Sequence, residues 1–288
     1  MGFKNVRQLA QSIDNDGQSW LSWVHKTTGP TSTTGRWMDL SMGAGTPKFN
    51  AYGGAPLTAT PFVGAGNDGI YCGPTPPAGQ TKHLTNFFIQ SGSVNLVPAY
   101  FLLCDYLLQY PFIDGDESAE QVMDNTETLP RSNGKGVECM VVCTAPMAAN
   151  ANVTVKYTNQ DGVPNRTSTF SLIAAGAVGV LVNAGNNLLT AGGVSPFIPM
   201  QGSDYGIRSI DSVTFDAATG GFMSFVLMKR VAQIQLREAG VACEMDQFTQ
   251  RGGVLPKIEN GAYLNMIYNT GQGGTAIPLR AALEFTWR

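Results

Sequence analysis

The sequence predicts a mainly β protein, with an antiparallel β-sandwich or jelly-roll-like C-terminal domain that follows an N-terminal region of short helices and an extended arm. Two observations predict this fold class. Apolar and polar residues alternate in several segments after residue 136, which is the period of a strand with one buried face. Turn-forming residues separate these segments, and the chain contains 34 glycines and 16 prolines. Short strands between regular turns favour a sandwich or a jelly roll.

The beginning of the chain predicts short helices followed by an irregular stretch. Apolar residues recur at helical spacing from Val6 to Val24, with a break at 15–17. This pattern predicts one broken helix or two short ones. From Thr27 to Pro77 the chain is rich in Gly, Pro, Thr and Ala, so we expect an extended arm or an irregular β region there.

A strand and a buried helix are expected next. The segment Leu84–Gln90 has the composition of a strand. The segment 98–110 begins with a proline, which the first turn of a helix tolerates, and ends before Pro111. Its apolar residues would almost encircle a helix, so we predict one buried helix at 98–110. Asp105 inside it must then find a partner or lie at an interface, because an unpaired buried charge is costly.

The boundary between two domains, 1–130 and 131–288, is placed at a turn. An acidic stretch ends there in the turn signal of residues 132–135, Ser-Asn-Gly-Lys. We expect the second domain to be the antiparallel sandwich, with two hairpins and a final paired strand. The predicted strands are 137–143, 152–157 paired with 167–172, 212–215 paired with 222–228, and 283–288.

Charge and hydropathy exclude several classes of function. Charged residues make up 14% of the chain, against roughly a quarter in ordinary soluble domains. The net charge of −3 gives no basic face for nucleic acid, and we expect no direct contact with it. The longest apolar stretch, 172–182, is too short for a bilayer span, and the N-terminus has no signal-peptide pattern, so we expect no export and no membrane association.

Metal, cofactor and catalytic chemistry have little support in the sequence. The two histidines, His25 and His83, have no Cys or carboxylate at metal-ligand spacing nearby. Five cysteines at wide spacing resemble neither a disulfide framework nor a zinc site, so we expect reduced, mostly buried thiols. We therefore predict no catalytic residue, no cofactor site and no metal site.

The acidic segment 114–120 leaves two alternatives open. Its carboxylates could hold calcium, yet it lacks the ligand spacing of an EF-hand, and we favour a solvated loop. Asp114 and Asp116 could also serve a glycan hydrolase, but that chemistry needs two carboxylates at a defined separation in a cleft. An enzyme of this kind remains an alternative.

Two stretches, Gly35–Phe62 and Gly206–Arg230, resemble virion proteins of tailed bacteriophages, especially capsid-associated ones. The resemblance lies in the general character of the sequence and includes no catalytic signature. It implies a non-enzymatic structural component of the particle, made in the host cytoplasm and located in the virion. The long spine helix of a main shell protein is missing from the predicted elements. A decoration, cement or minor head protein that binds and stabilises the capsid is favoured, with a tail, connector or host-binding protein as the alternative.

The expected partners are the major capsid protein or neighbouring virion subunits, together with further copies of this chain, a trimer being one arrangement. A surface poor in charge suits burial against such neighbours, although a Gly-rich monomer would have the same composition. Buried aromatic residues tend to dominate interface energies. The candidate interface residues are Trp20, Trp23, Trp37, Phe49 and Tyr52. The alternative is that they fill the core.

Overall fold

The computed structural model describes residues 3, 5–14, 17–28, 35–64, 68–183, 195–250, 253–271, 274 and 278–288. They form a mainly β protein of antiparallel sheets, which confirms the predicted fold class. The helices are α1 (Val6–Asp14) and α2 (Gln247–Gln250), with a 3-10 turn at Leu40–Met42. The strands are β1 (Ser19–Thr28), β2 (Trp37–Asp39), β3 (Ala44–Thr46), β4 (Thr60–Pro61), β5 (Lys82–Gln90), β6 (Ala99–Asp114), β7 (Gln121–Val122), β8 (Glu138–Cys143), β9 (Ala151–Asn159), β10 (Arg166–Leu172), β11 (Ile207–Phe215), β12 (Phe222–Leu236), β13 (Cys243–Asp246), β14 (Lys257–Ile258), β15 (Leu264–Thr270) and β16 (Leu279–Trp287).

The strands form three sheets, which are called the front, middle and small sheets. The front sheet has the order β13-β5-β16-β1-β3, with β14 beside β5. The middle sheet has the order β2-β15-β6-β12-β8, with β4 beside β6, and the small sheet has the order β10-β9-β11-β7. One continuous core joins the facing sides of all three sheets, and a second core covers the other side of the middle sheet.

The predicted buried helix at 98–110 is wrong, because this segment belongs to β6, the central strand of the middle sheet. Phe101 and Leu103 enter the core shared by the three sheets, whereas Leu102 and Cys104 enter the second core on the opposite side. A strand covered on both faces is apolar at nearly every position. Such a run cannot be told from a buried helix by its periodicity.

Other elements agree only in part. The helix α1 is confirmed, but Trp20–Val24 belongs to strand β1 and not to a second helix. The β9–β10 hairpin is confirmed. The predicted hairpin of 212–215 with 222–228 is wrong, because β11 pairs with β9 and β7 whereas β12 pairs with β6 and β8. The chain crosses between sheets at this turn.

The segment between β1 and β5 is an irregular β region that packs on its own body. Its short strands β2 and β4 lie at the middle sheet, and β3 lies at the edge of the front sheet. Trp37 and Tyr52 are buried in the second core. The expected arm is therefore folded back over the middle sheet along the described part of this segment.

Strands from both sides of residue 130 share every sheet. In the front sheet β16 lies between β5 and β1, in the middle sheet β12 lies beside β6, and in the small sheet β7 pairs with β11. Independent folding of residues 131–288 stays a prediction. None of the helices in the described ranges is long and apolar enough to span a bilayer.

Candidate interaction surface

The solvent side of the front sheet carries exposed apolar residues on β1. Along this strand Ser22, Val24 and Lys26 are buried, whereas Leu21 and Trp23 point to solvent. The Trp23 side chain is 63% exposed. The alternation follows from the two-residue period of a strand, because every second side chain leaves the sheet on the same face.

Strand pairing arranges this side of the sheet in three rows, because directly paired residues of antiparallel strands project from the same face. The three rows together are called the outer face. They are Leu21–Glu284–Asn86, Trp23–Ala282–Phe88 and His25–Arg280–Gln90, each running across β1, β16 and β5. Across these three strands the middle row is apolar, and a charged residue of β16 stands on either side of it. On the next strand, β13, the exposed Glu244 pairs with Phe88 and Asp246 pairs with Asn86, so carboxylates border this side of the face.

The two ends of the outer face differ in charge. Arg280 is exposed at one end. At the other end burial raises the pKa of the Glu284 carboxyl, and the neighbouring carboxylates of Glu244 and Asp246 raise it further. Among the described residues neither Arg280 nor Glu284 has an ion-pair partner. An oppositely charged group from outside the chain would stabilise either end.

A groove opens at the basic end of the outer face. Its volume is about 260 Å³, and the rim includes His25, Gln90 and Arg280. The Ser91 hydroxyl on its wall donates to the Pro278 carbonyl at 2.6 Å. The groove thus offers the Arg280 guanidinium and the His25 ring to an incoming acceptor.

The N-terminal segment limits the outer face at its acidic end. The Phe3 ring packs edge-to-face on His83, with 5.8 Å between ring centroids. Thr286, two residues beyond Glu284 on the same side of β16, is fully buried. The Arg288 guanidinium donates to the Gln8 carbonyl of α1 at 3.3 Å. The open area therefore consists of the three rows.

The structure separates the five candidate interface aromatics. Trp23 lies on the outer face. Trp20 is exposed on the opposite side of β1, where it packs edge-to-face on Tyr71, and Phe49 is exposed in the loop between β3 and β4. Trp37 and Tyr52 are 4% and 1% exposed and fill the second core.

Asp39, the most deeply buried carboxyl described, is held by hydroxyl groups. It accepts hydrogen bonds from the Tyr106 hydroxyl at 2.8 Å, from the Tyr52 hydroxyl, and from the Ser41 amide and hydroxyl. Burial raises the pKa of Asp39, and these hydrogen bonds oppose the rise. The Tyr52 and Tyr106 side chains lie in the second core, so their bonds to Asp39 fix β2 and the loop at Tyr52 against β6.

Other carboxylates are also engaged within the fold. The Asp204 carboxylate accepts from Arg166 Nε at 2.7 Å, from Tyr157 and from Asn159. Asp105 has found a partner in Arg131, at 2.8 Å. These contacts hold loops against sheets, which is a structural role.

The acidic segment 114–120 is likewise bonded to its own chain. The Glu120 carboxylate accepts from Lys156 and Ser212, and Asp116 accepts from the Gly220 amide. The described residues contain no group of three or more His, Cys, Asp and Glu side chains placed to hold a metal ion. Of the five cysteines, all free, Cys243 is half-buried and the other four are buried.

Sequence reasoning found Trp23 but missed Ala282, Phe88, Arg280 and Glu284. The alternation of the final strand was visible in the sequence, and so was the strand that contains Phe88. What the sequence could not show is that β16 lies between β5 and β1, whose paired residues are at least 190 positions away along the chain.

Comparisons with known proteins assign no family. No family model matches the chain, and no curated protein matches it. Solved structures of infectious bursal disease virus show a remote likeness. The Gt strain structure has 9% identity and a TM-score of 0.19, covering 94% of this chain and 81% of that one. The VP2 subviral particle has 9% identity and a TM-score of 0.19, covering 98% and 86%. These TM-scores lie well below those of proteins that share a fold.

Proposed function

We propose that this protein is a structural subunit of a virus particle, a non-enzymatic protein that acts through contacts between subunits. The observation that carries the proposal is the outer face, where Trp23 stands exposed in an apolar row between two charged ends. An apolar centre with a polar rim is the usual anatomy of a protein–protein interface. Exposed Trp side chains on such surfaces are frequent energetic anchors.

Composition supports the same role. A chain with 14% charged residues leaves much neutral surface, which suits a subunit that is surrounded by neighbours. The buried carboxylates Asp39, Asp105 and Asp204 are each used to fix the fold.

The finer form of the proposal is a capsid-associated protein of a tailed bacteriophage, as decoration, cement or minor head protein. Its partners are then the major capsid protein or neighbouring virion subunits. This form rests on the sequence resemblance of Gly35–Phe62 and Gly206–Arg230 to such proteins. A tail, connector or host-binding protein is the alternative within the same particle.

The test is to purify particles from the source on a density gradient and to quantify this chain against the main shell protein. Copies in the hundreds support a head-surface role, and about six to a dozen copies support a tail or connector role. Absence from purified particles overturns the proposal. Comparing Trp23→Ala with Tyr205→Ala, at an exposed tyrosine outside the outer face, then shows whether loss of incorporation is specific to that face.

A further inference from the structure

The sequence contains two Asn-Gly dipeptides, Asn133–Gly134 and Asn260–Gly261. An asparagine side chain that precedes glycine is open to attack by the glycine's backbone nitrogen, because glycine has no Cβ to shield the peptide. We propose that Asn260 is a site of spontaneous deamidation in the folded protein, whereas the fold protects Asn133. The inference goes beyond the proposed function and does not depend on it.

The reaction needs only water as a co-reactant. The backbone nitrogen of Gly261 loses its proton and attacks the side-chain carbonyl carbon of Asn260, Cγ, and the side-chain nitrogen leaves as ammonia. Water then opens the resulting cyclic imide, a succinimide, at either of its two carbonyl carbons. The products have an aspartate or an isoaspartate at position 260, and each carries a negative charge that the asparagine lacked.

Asn260 and Gly261 form the tip of the turn between β14 and β15. The Ala262 amide donates to the Glu259 carbonyl at 3.1 Å, and this bond closes a β-turn with Asn260 and Gly261 at its centre. Both central residues are exposed. Gly261 has a φ of +74°, as the third position of a type II turn requires.

The central peptide of this turn, between Asn260 and Gly261, is free to rotate. Among the described residues, neither the Gly261 N–H nor the Asn260 side chain has a hydrogen-bond partner. A Cβ built at Gly261 would meet no atom within 4 Å. The Gly261 carbonyl, which accepts from the Gly64 amide at 3.2 Å, belongs to the next peptide.

Rotation of the central peptide is the main difference between type I and type II turns, and both types keep the bond that closes the turn. The Gly261 nitrogen can therefore move toward Asn260 Cγ while the strands on either side stay in place. The attacking nitrogen and the side chain that it attacks are both uncommitted and both exposed.

The other Asn-Gly dipeptide is held on both sides of the reacting bond. Asn133 Oδ1 accepts from the Lys135 amide at 3.3 Å, and the Gly134 amide donates to Ser132 Oγ at 3.2 Å. Gly134 is buried, and a Cβ built there would lie 2.6 Å from Arg208 Cγ. Attack at this site requires these contacts to open first, which costs free energy.

The test follows both sites in the full wild-type chain. The protein is incubated in mildly alkaline buffer and digested at acidic pH, where the reaction is slow, and peptide mass mapping then distinguishes acid from amide at each site. In the folded protein we expect Asn260 to be modified roughly tenfold or more faster than Asn133, since only Asn133 must first open locally. In urea-unfolded protein we expect similar rates, because each asparagine is followed by glycine.

Anion-exchange chromatography gives a second readout, because each modified chain carries an additional negative charge and elutes as a more acidic species. Asn260→Gln should suppress this species, since a glutamine side chain must close a larger ring, which forms much more slowly. Asn133→Gln is the matched control and should leave the species unchanged. Circular dichroism verifies that both variants are folded.

Modification of Asn260 well before Asn133 in the folded protein, with similar rates after unfolding, supports the inference. An intact Asn260, or equal rates at the two sites in the folded protein, overturns it. The same difference in rate before and after unfolding also overturns it, because the neighbouring sequence and not the turn would then set the rates.

Discussion

The Arg131 guanidinium holds both carboxylate oxygens of Asp105, with Nη2 2.8 Å from Oδ1 and Nε 3.3 Å from Oδ2. The same guanidinium donates to the carbonyl oxygens of Phe62 and Tyr106, and Asp105 also accepts from the Tyr263 amide. Both charged side chains are less than a tenth exposed. One buried pair thus joins β6 to the loops before β8 and β15.

Removing one partner of this pair should destabilise the protein strongly. In Arg131→Met the Asp105 carboxylate stays buried without its cation, and we expect a loss of about 3–5 kcal/mol in the free energy of unfolding. Urea denaturation measures it. The control is Lys156→Met, which breaks the exposed pair with Glu120 and should cost less than about 1 kcal/mol. Equal losses of stability in both variants would show that breaking the buried pair of Arg131 with Asp105 costs no more than breaking an exposed ion pair.

A side chain at Gly73 should disturb the packing of Trp20. Gly73 has a φ of +82°, and a Cβ there would lie 2.6 Å from Trp20 Cγ. Gly79 has a nearly identical φ of +85° with no atom within 4 Å of the corresponding Cβ position. Both Gly→Ala variants lose the same backbone freedom, so the excess destabilisation of Gly73→Ala reports the contact.

We expect that excess to be about 1–3 kcal/mol, the usual range for overpacking. Thermal melting followed by circular dichroism compares the two variants directly. A Gly73→Ala protein as stable as Gly79→Ala would contradict the close approach of Trp20 to this loop.

Lys26 should make stability depend on pH in the alkaline range. Its ammonium is buried and donates to the Gly43 and Pro47 carbonyls at 2.9 and 2.7 Å. Burial lowers the pKa of Lys26 from 10.5 to about 8, although Asp39 and Asp68 oppose the shift. Between these two values the unfolded chain binds more protons than the folded one. The contribution of Lys26 to the free energy of unfolding therefore rises with pH in this window, by up to about 1.4 kcal/mol per unit of pKa shift.

Other buried groups also titrate in this range, so the measurement is a difference between two proteins. The variant Lys26→Met loses the contacts to both carbonyls at every pH. It has no ionisable group at position 26, so this position contributes no pH dependence to its stability. The stability of the wild type relative to Lys26→Met should increase from pH 8 to pH 10 in urea denaturation. Two parallel curves across this range would refute the shifted pKa.

Thiol labelling should distinguish Cys243 from the other cysteines. Burial raises the pKa of Cys72 and of Cys104, Cys139 and Cys143, and a thiol that stays protonated and covered reacts slowly. Cys243 is only half-buried. In the native protein an aromatic disulfide reagent should label one thiol fast and four slowly, and Cys243→Ser should remove the fast phase. A fast phase that persists in this variant would show that another thiol is accessible.

The sequence predicted strands well where one face meets the core and the other meets solvent. In β9 buried and partly exposed residues alternate along the strand, and this is the pattern that the sequence displayed. The prediction from the sequence failed at β6, because that strand is covered on both sides. It also failed at the turn between β11 and β12, where Thr219 bonds to Gly115 while the chain passes from the small sheet to the middle sheet.

Of the residues on the outer face, the sequence predicts only Trp23 as an interface residue. The sequence marks Trp23 as a large aromatic residue, but it predicts a helix for the segment that contains it. Its neighbours on the outer face come from the register of β1 with β16 and of β16 with β5, for example Trp23 opposite Ala282. Pairings between distant segments depend on the whole fold, and local periodicity does not encode them.

The position of β16 has a consequence for the timing of assembly. This strand is made after every other strand of the front sheet, and it supplies the central column of the outer face, Arg280, Ala282 and Glu284. Until the ribosome has passed Trp287, β1 and β5 have no strand between them and the face does not exist. A chain that stops before Leu279 thus lacks the central column of this surface.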